Sequence, residues 1–167
     1  MKLAVMSDSH DNIWNLQQAI SMIRKEQVEL IIHCGDFVAP FMLKELDKSE
    51  IPVYGVLGNN DGSGFLLAKT AFAELSRITL FEIVGHVEAQ GFSVCFTHQR
   101  VVAEALAVTS RYDLVCYGHS HVYNLENIGK TLLLNPGEIM GKEGCPGFCI
   151  VDTQTRNVVR HEIIKHL

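Results

Sequence analysis

The sequence lacks a surplus of positive charge. It contains 14 lysine and arginine residues against 19 aspartate and glutamate residues, which gives a formal net charge of −5 at pH 7. Proteins that hold nucleic acid mainly through its phosphates need a basic surface. We therefore expect no stable binding to nucleic acid.

Long hydrophobic runs are also missing. No apolar stretch approaches the roughly 20 residues that a membrane-spanning helix needs. Only four apolar residues lie between Lys2 and Ser7, which is too short a run for a signal peptide. We therefore expect a cytoplasmic protein that does not associate with membranes.

The five cysteines are odd in number and include no CxxC pair. Even sets of cysteines are typical of secreted disulfide scaffolds, and CxxC pairs are typical of zinc sites. We therefore predict thiols, with Cys34, Cys95 and Cys116 in the core. Cys145 and Cys149 could in principle bind metal, but no second pair is present to complete a site.

The chain length of 167 residues predicts a single domain, residues 1–167, because such a chain can bury about two thirds of its unfolded surface. Up to residue 61 apolar runs alternate with helical patterns, which favours parallel strands with helices packed on the sheet. The spacing predicts helices over residues 13–25, from residue 40, over 65–75 and over 101–109. Four phenylalanines could be core, substrate-pocket or interface residues, and the core is the prediction for each: Phe37, Phe41, Phe65 and Phe72.

The second half of the sequence is mostly strand. Residues 79–84, 86–90 and 92–97 are predicted to form antiparallel neighbours, with Gly85 and Gly91 as turn residues. Further strands are predicted at residues 114–117, 122–128, 131–134, 148–152 and 158–164. This order fits two packed sheets with helices outside them.

Five apolar runs each end abruptly in residues that bind metals. The motifs are Asp8-Ser9-His10, Cys34-Gly35-Asp36, Gly58-Asn59-Asn60-Asp61, Thr97-His98 and Gly118-His119-Ser120-His121. Ligands bind at the carboxyl ends of strands in open α/β sheets. If the first strand continues through its motif, Asp8 and His10 leave the backbone on the same face and can share an ion.

The motifs supply a mixed set of oxygen and imidazole ligands: Asp8, His10, Asp36, Asn59, His98, His119 and His121. Such a set suits Mn²⁺, Fe²⁺, Zn²⁺ or Ni²⁺ better than Ca²⁺, and the absence of thiolates argues against a structural zinc site. Seven ligands exceed what one ion takes. We therefore predict two divalent ions, Mn²⁺ in the first instance, with one bridging carboxylate.

The five motifs, in this order and spacing, resemble those of the calcineurin-like metallophosphoesterases, and the chain length is similar to that of their small bacterial and archaeal phosphodiesterases. The resemblance implies an α/β fold, a four-layer α/β/β/α sandwich of two mixed sheets flanked by helices. It implies two ligand groups, the first Asp8, His10, Asp36 and His121, and the second Asp36, Asn59, His98 and His119. It also implies hydrolysis of a small phosphodiester by a hydroxide that bridges the two ions, with Asn59 and His98 beside the phosphate oxygens.

Two positions depart from the family pattern. Asn60 stands where the family commonly has a histidine that stabilises the transition state or protonates the leaving group, and an amide cannot deliver a proton at neutral pH. We therefore predict that esters with good leaving groups react fastest. Gln99 follows His98 where a glycine is usual, which puts the geometry of that loop in question.

Several residues beside the motifs have two interpretations. Asp11, Asn12 and Asp61 could orient a metal-bound histidine, or they could be helix caps and turn residues. His33 could line the site or be a packed strand residue. The segment Asn135-Pro136-Gly137-Glu138 resembles a family loop that supports the site. His86, His161 and His166 are predicted at the surface.

Two alternatives to a phosphodiesterase stay open. One is a non-catalytic interaction scaffold, because the same fold is used in a eukaryotic protein-sorting complex whose metal site is degraded; the complete ligand set here argues against it. The other is a phosphomonoesterase or protein phosphatase; the short chain and Asn60 argue against the protein phosphatase. Homo-oligomer formation is possible on either interpretation.

Overall fold

The computed structural model describes residues 1–164, and it shows two mixed β-sheets packed face to face with helices on both outer sides. In chain order the elements are β1 (Lys2–Met6), α1 (Ile13–Lys25), β2 (Leu30–His33), α2 (Pro40–Asp47), β3 (Val53–Val56), α3 (Gly64–Glu74), β4 (Ile78–Phe81), β5 (Val84–Ala89), β6 (Phe92–Thr97), α4 (Arg100–Val108), β7 (Leu114–Cys116), β8 (Asn124–Ile128), β9 (Thr131–Asn135), β10 (Gly147–Asp152) and β11 (Val158–Glu162). The predicted four-layer sandwich is confirmed. His166 lies outside the described residues.

The first sheet has the strand order β11-β10-β1-β2-β3-β4. Strands β1 to β4 are parallel neighbours, whereas β10 is antiparallel to both β1 and β11. The second sheet has the order β5-β6-β7-β9-β8, in which β6, β7 and β9 are parallel and the outer strands are antiparallel. Each sheet therefore has parallel strands at its centre.

Strand β1 is apolar along its length because both of its faces are covered. Ala4 and Met6 pack with helices α1 to α3 on the outer side. Leu3 and Val5 point the other way, into the layer between the two sheets. On the far side of the sandwich, α4 packs its small residues against the second sheet, with Ala103 among them. Burial on both faces is what produces a continuous apolar run instead of an alternating one.

The helix bounds agree with the sequence patterns to within about one residue, and the start of α1 is fixed by a side-chain cap. The Asn12 side chain accepts a hydrogen bond of 3.1 Å from the backbone N–H of Asn15, as a helix N-cap does. This confirms the cap interpretation of Asn12.

The prediction for the segment around Gly85 was wrong. Strand β4 pairs in parallel with β3 in the first sheet, and the chain then crosses to the second sheet. Gly85 lies inside β5, where an added Cβ would come within 2.2 Å of the Phe96 ring. Glycine is needed there for close packing across the strands and not for a turn. Gly91, with a φ of +83°, does form the predicted turn between β5 and β6.

Three of the four phenylalanines predicted in the core are exposed. Phe37 is fully buried, but Phe41, Phe65 and Phe72 are 44%, 76% and 94% exposed. The helix α3 is apolar on several sides, so its sequence does not define which face packs. Leu67 and Ala71, four residues apart, take the buried face of that helix.

The cysteine and histidine predictions are mostly confirmed. Cys34, Cys95 and Cys116 are buried, and so is Cys149, whereas Cys145 is exposed. The histidine His86 is exposed, and His161 is half-buried because it stacks on Phe148 with the ring centroids 5.3 Å apart. Among residues 1–164 no helix is long and apolar enough to cross a membrane.

Candidate metal centre

Loops from both sheets meet at one edge of the sandwich, where the parallel strands end. The backbone N–H groups of Asp8 and His10 donate to the carbonyl oxygens of Gly35 and Asp36, at 3.0 and 2.9 Å. These bonds join the loop after β1 to the loop after β2. The N–H of His119, which follows β7 in the second sheet, donates to the Asp8 carboxylate at 3.1 Å. The candidate ligands of the two sheets are therefore brought into one site.

Five of the seven predicted ligands have a left-handed backbone. The φ angles are 51° for Asp8, 45° for His10, 60° for Asp36, 67° for His119 and 62° for His121. Non-glycine residues rarely adopt this conformation, and it costs of order 1–3 kcal/mol per residue. Strand geometry therefore does not continue through Asp8 and His10. The sequence-based suggestion that the first strand continues through its motif is wrong. The two side chains converge because the chain turns sharply after β1, and such strained residues cluster at functional sites.

The first ligand group comprises Asp8, His10, Asp36 and His121, each of which offers one atom within 4.8 Å of the others. His121 Nε2 lies 3.5 Å from an Asp8 oxygen, and His10 Nε2 lies 3.6 Å from an Asp36 oxygen. Both carboxylates are buried, and burial raises the pKa of Asp8 above its ordinary value.

This group fits a divalent cation. His10 Nε2 is buried and has no hydrogen-bond partner among the described residues. A buried polar atom without a partner is costly, and so is a pair of buried carboxylates without a counter-charge. A bound metal ion would satisfy both, and two carboxylates with two imidazoles form an ordinary ligand set for Mn²⁺, Fe²⁺ or Zn²⁺.

The second ligand group is centred on the side-chain oxygen of Asn59. His98 Nε2 lies 2.8 Å from this oxygen and His119 Nδ1 lies 2.7 Å from it. His98 Nδ1 donates to the carbonyl oxygen of Cys34 at 2.8 Å, so the neutral ring has its lone pair on Nε2. That lone pair faces the amide oxygen, an arrangement of two acceptors that a cation between them would stabilise.

Asp36 lies between the two groups. Its Oδ2 is 3.6 Å from His10 Nε2 and 3.5 Å from His98 Nε2. Asn60 donates to this carboxylate from its backbone N–H and from Nδ2, both at 2.8 Å. Gly58 packs so closely that an added Cβ would lie 2.5 Å from the Asp36 backbone nitrogen. The position of Asp36 therefore fits a carboxylate shared between two ions.

The residues predicted beside the ligands mainly hold the loops. Asp61 accepts the backbone N–H of Val38 on one oxygen and that of Gly58 on the other, both at 2.7 Å. It thereby ties the loop after β2 to the loop after β3, and burial raises the pKa of its carboxyl. Asn12 donates to the carbonyl oxygen of Met140 at 2.9 Å in addition to capping α1. Asp11 is exposed in the turn before α1.

Gln99 leaves the loop after β6 undistorted. It is the N-cap residue of α4, with φ −92° and ψ 130°. Any residue adopts these angles, so a glycine is not required at this position.

His33 supports the site, a role that the sequence left undecided. Its Nδ1 accepts the backbone N–H of Gly35 at 3.2 Å, its Nε2 lies 3.0 Å from the Ser9 hydroxyl, and its ring stacks on Phe37. Burial, together with the nearby His98 and His10, lowers the pKa of His33 to about 3. The ring is therefore neutral, and it links the loops that carry Asp8 and Asp36.

Glu138 is a supporting residue that the sequence indicated only through its motif. It is buried, and its Oε2 lies 2.7 Å from His121 Nδ1. Burial raises the pKa of this carboxyl, but hydrogen bonds from the Gly144 backbone, from His121 and from neighbouring amides outweigh that effect and leave it lowered. Asn135 of the same segment donates to the carbonyl oxygen of Gly118, so the whole segment holds the last motif in place.

Comparison with known proteins points to one family. A family model described as a calcineurin-like phosphoesterase superfamily domain matches residues 1–156. A phosphodiesterase of Methanocaldococcus jannaschii is 35% identical over 159 residues, which cover 93% of this chain and 95% of the relative. The solved structure of an archaeal phosphodiesterase superposes with a TM-score of 0.86 at 33% identity, over 98% of this chain and 100% of that one. Vacuolar protein sorting 29 of Cryptosporidium parvum shares the fold, with a TM-score of 0.67 at 16% identity and 98% coverage of both chains.

Proposed function

The chain belongs to the calcineurin-like phosphoesterase superfamily, and we propose that it is an enzyme, a metal-dependent phosphodiesterase whose substrate is a small phosphate diester. The observation that carries the proposal is the convergence of acceptor atoms at one edge of the sandwich. Carboxylate, imidazole and amide groups face one another there, and one buried imidazole nitrogen has no hydrogen-bond partner within residues 1–164.

Two divalent ions account for the two ligand groups. Asp8, His10, Asp36 and His121 would hold the first ion. Asp36, Asn59, His98 and His119 would hold the second, with Asp36 shared between them. When bound, such ions lower the pKa of water so that it attacks at neutral pH, and they neutralise charge on phosphate oxygens. Mn²⁺ is the first choice, with Ni²⁺, Fe²⁺ and Zn²⁺ as alternatives.

Charge favours an anionic substrate at this site. The two carboxylates among the proposed ligands, Asp8 and Asp36, carry less charge than two divalent ions supply. The site is then locally positive although the chain as a whole carries −5. A phosphate diester is therefore attracted to this edge and not to the acidic remainder of the surface.

The protein side chains have separate tasks. Asn59 and His98 fix the second half of the site beside the phosphate oxygens, and the exposed His119 completes it. Asn60 positions the shared Asp36 carboxylate through both of its hydrogen bonds. Because Asn60 cannot supply a proton, the leaving alkoxide must take one from water or from another group. We place the enzyme in the cytoplasm, either as a monomer or as a homo-oligomer.

The first test is hydrolysis of bis-(p-nitrophenyl) phosphate by metal-stripped protein, with Mn²⁺, Ni²⁺, Zn²⁺ or Mg²⁺ added back. We expect metal-dependent turnover that falls at least 100-fold in Asp36→Ala and His98→Ala. The exposed His86→Ala serves as the control and should keep full activity, because His86 is on the hairpin strand β5.

The number of ions is tested separately by calorimetric titration of the stripped protein. Two ions should bind to the original chain and one to Asn59→Ala, since only the second group loses a ligand. If folded protein binds two ions but hydrolyses no phosphodiester with any metal, the phosphodiesterase proposal fails and a scaffold role becomes the better explanation.

A further inference from the structure

The Glu138 carboxylate uses its two oxygens for two different kinds of partner. Oε1 accepts the backbone N–H groups of Glu143 and Gly144, at 2.6 and 2.8 Å. Oε2 faces the Nδ1 atom of His121 at 2.7 Å. Backbone N–H groups only donate, so the oxygen near residues 143 and 144 must be an acceptor. The orientation of this side chain is therefore fixed by the loop.

The other nitrogen of His121 faces the metal centre. Nε2 lies 3.5 Å from Asp8 Oδ1, inside the group of atoms that could hold the first ion. A neutral imidazole carries its proton on one nitrogen and its lone pair on the other. A metal ion requires the lone pair on Nε2, which in turn requires the proton on Nδ1.

We propose that Glu138 is a positioning residue that holds His121 with its proton on Nδ1 and its lone pair on Nε2, ready to bind the first metal ion. The inference rests on the proposed function only in taking His121 as a metal ligand. Hydrogen bonds from a metal-binding histidine to a carboxylate fix the ring and the tautomer, and their loss typically costs about 10–100-fold in metal affinity or activity.

The contacts of the Glu138 segment limit its effect to one of the two proposed ions. The same segment is joined to the first motif, because the backbone N–H of Ile139 donates to Ser7 and that of Met140 donates to Asp8, each at 3.0 Å. The segment therefore positions Asp8 through the backbone and His121 through the Glu138 side chain. Both belong to the first ligand group, so the effect should be confined to the first of the two ions.

Replacement of one carboxylate oxygen by an amide nitrogen separates this role from simple packing. In Glu138→Gln the side chain keeps its size, and its carbonyl oxygen must remain on the Glu143 and Gly144 N–H groups. The amide NH₂ then faces His121 Nδ1 and forces it to accept, which moves the ring proton to Nε2. The isosteric variant should therefore bind metal more weakly than Glu138→Ala, which leaves the ring free to choose its tautomer.

The experiment compares the original chain with Glu138→Gln, Glu138→Ala and the control Glu143→Gln. Glu143 is exposed and its side chain pairs with Lys142, so the control removes one acidic charge from the same loop without touching His121. Calorimetric titration with Zn²⁺ measures the affinity for each ion. Long-range proton–nitrogen NMR on metal-free protein at pH 8.5 reports which nitrogen of His121 carries the proton, with the signal assigned by its loss in His121→Gln.

We expect the proton on Nδ1 in the original chain and in Glu143→Gln, and on Nε2 in Glu138→Gln. The affinity for one ion should fall about 10–100-fold in Glu138→Gln, less in Glu138→Ala and not at all in the control. A proton on Nε2 in the original chain would overturn the proposal, as would Glu138→Gln with unchanged affinity or with the original tautomer. Because the NMR measurement uses metal-free protein, it decides the tautomer even if the chain proves to have no phosphodiesterase activity.

Discussion

Asn60 donates both its backbone N–H and its side-chain Nδ2 to the two oxygens of Asp36, each at 2.8 Å. The side chain that stands where the family commonly has a catalytic histidine is therefore turned onto the Asp36 carboxylate. It holds the Asp36 carboxylate in place, and as an amide it cannot protonate a leaving group.

The dependence of rate on the leaving group tests this relationship. We predict that kcat for a series of aryl phosphodiesters falls steeply as the pKa of the leaving phenol rises, because the amide of Asn60 cannot protonate the leaving group. Asn60→Ala should lower kcat about tenfold or more, since a hydrogen bond to a charged group contributes roughly 1.5–3 kcal/mol, and it should leave the slope unchanged. A flat dependence in the original chain would refute the prediction.

Gly58 should tolerate no side chain. A Cβ at this residue would lie 2.2 Å from Asp36 Oδ1 and 2.5 Å from the Asp36 backbone nitrogen, so Gly58→Ala must displace Asp36, which we propose as the shared ligand. We predict a loss of at least 100-fold in activity and weaker binding of both ions in a titration. Gly144→Ala is the matched control, because no atom of the described part of the chain lies within 4 Å of an added Cβ there. Equal activity of the two variants would contradict the predicted crowding.

His33 should affect metal binding without touching a metal. In His33→Phe the ring can still stack on Phe37, but the Gly35 N–H and the Ser9 hydroxyl lose their partner. Each unsatisfied buried group costs about 1–3 kcal/mol, and the loops that carry Asp8 and Asp36 are no longer joined through it. We predict a lower unfolding free energy and about 10–100-fold weaker metal binding.

The comparison variant for His33 is His33→Gln, whose amide can both accept and donate. It should restore part of the metal affinity measured by titration. If His33→Phe loses stability but binds both ions as tightly as the original chain, then His33 is a packing residue only.

The phenylalanines should differ sharply in their contribution to stability. Phe37 is fully buried, so Phe37→Ala should lower the free energy of unfolding by about 3–5 kcal/mol. Phe72 is 94% exposed on α3, so Phe72→Ala should change it by no more than about 0.5 kcal/mol. Urea unfolding followed by circular dichroism measures both, and similar losses in the two variants would contradict the observed burial.

The sequence predicts the sandwich and the ligand positions because both depend on local patterns. Apolar runs such as the one from Leu3 to Met6 define buried strands, and the polar residues that follow them mark the strand ends. The sequence could not predict that β4 joins the first sheet. The segment around Gly85 has the composition of a strand throughout, so the crossing from one sheet to the other has no signal in the sequence. Nor could the sequence assign a face to α3, where apolar residues surround the helix.

The supporting residues were harder to recognise than the ligands. His33 and Glu138 lie outside the five motifs, and their roles depend on contacts across 24 and 17 residues of sequence, to Ser9 and His121. The left-handed backbone of Asp8 and His10 was not predicted either, because aspartate and histidine adopt it more often than most residues but still only rarely. Contacts between residues that are distant in the sequence cannot be predicted from local spacing.

The place of β1 at the interior of the first sheet has a consequence for synthesis. β1 is synthesised long before β10, yet the two strands are neighbours in the sheet, with Lys2 opposite Asp152. Long-range pairings of this kind form slowly, because the closure of a large loop precedes any gain from contacts. The first motif therefore obtains its final surroundings only after β10 has been synthesised, and until then its apolar strand needs protection from aggregation.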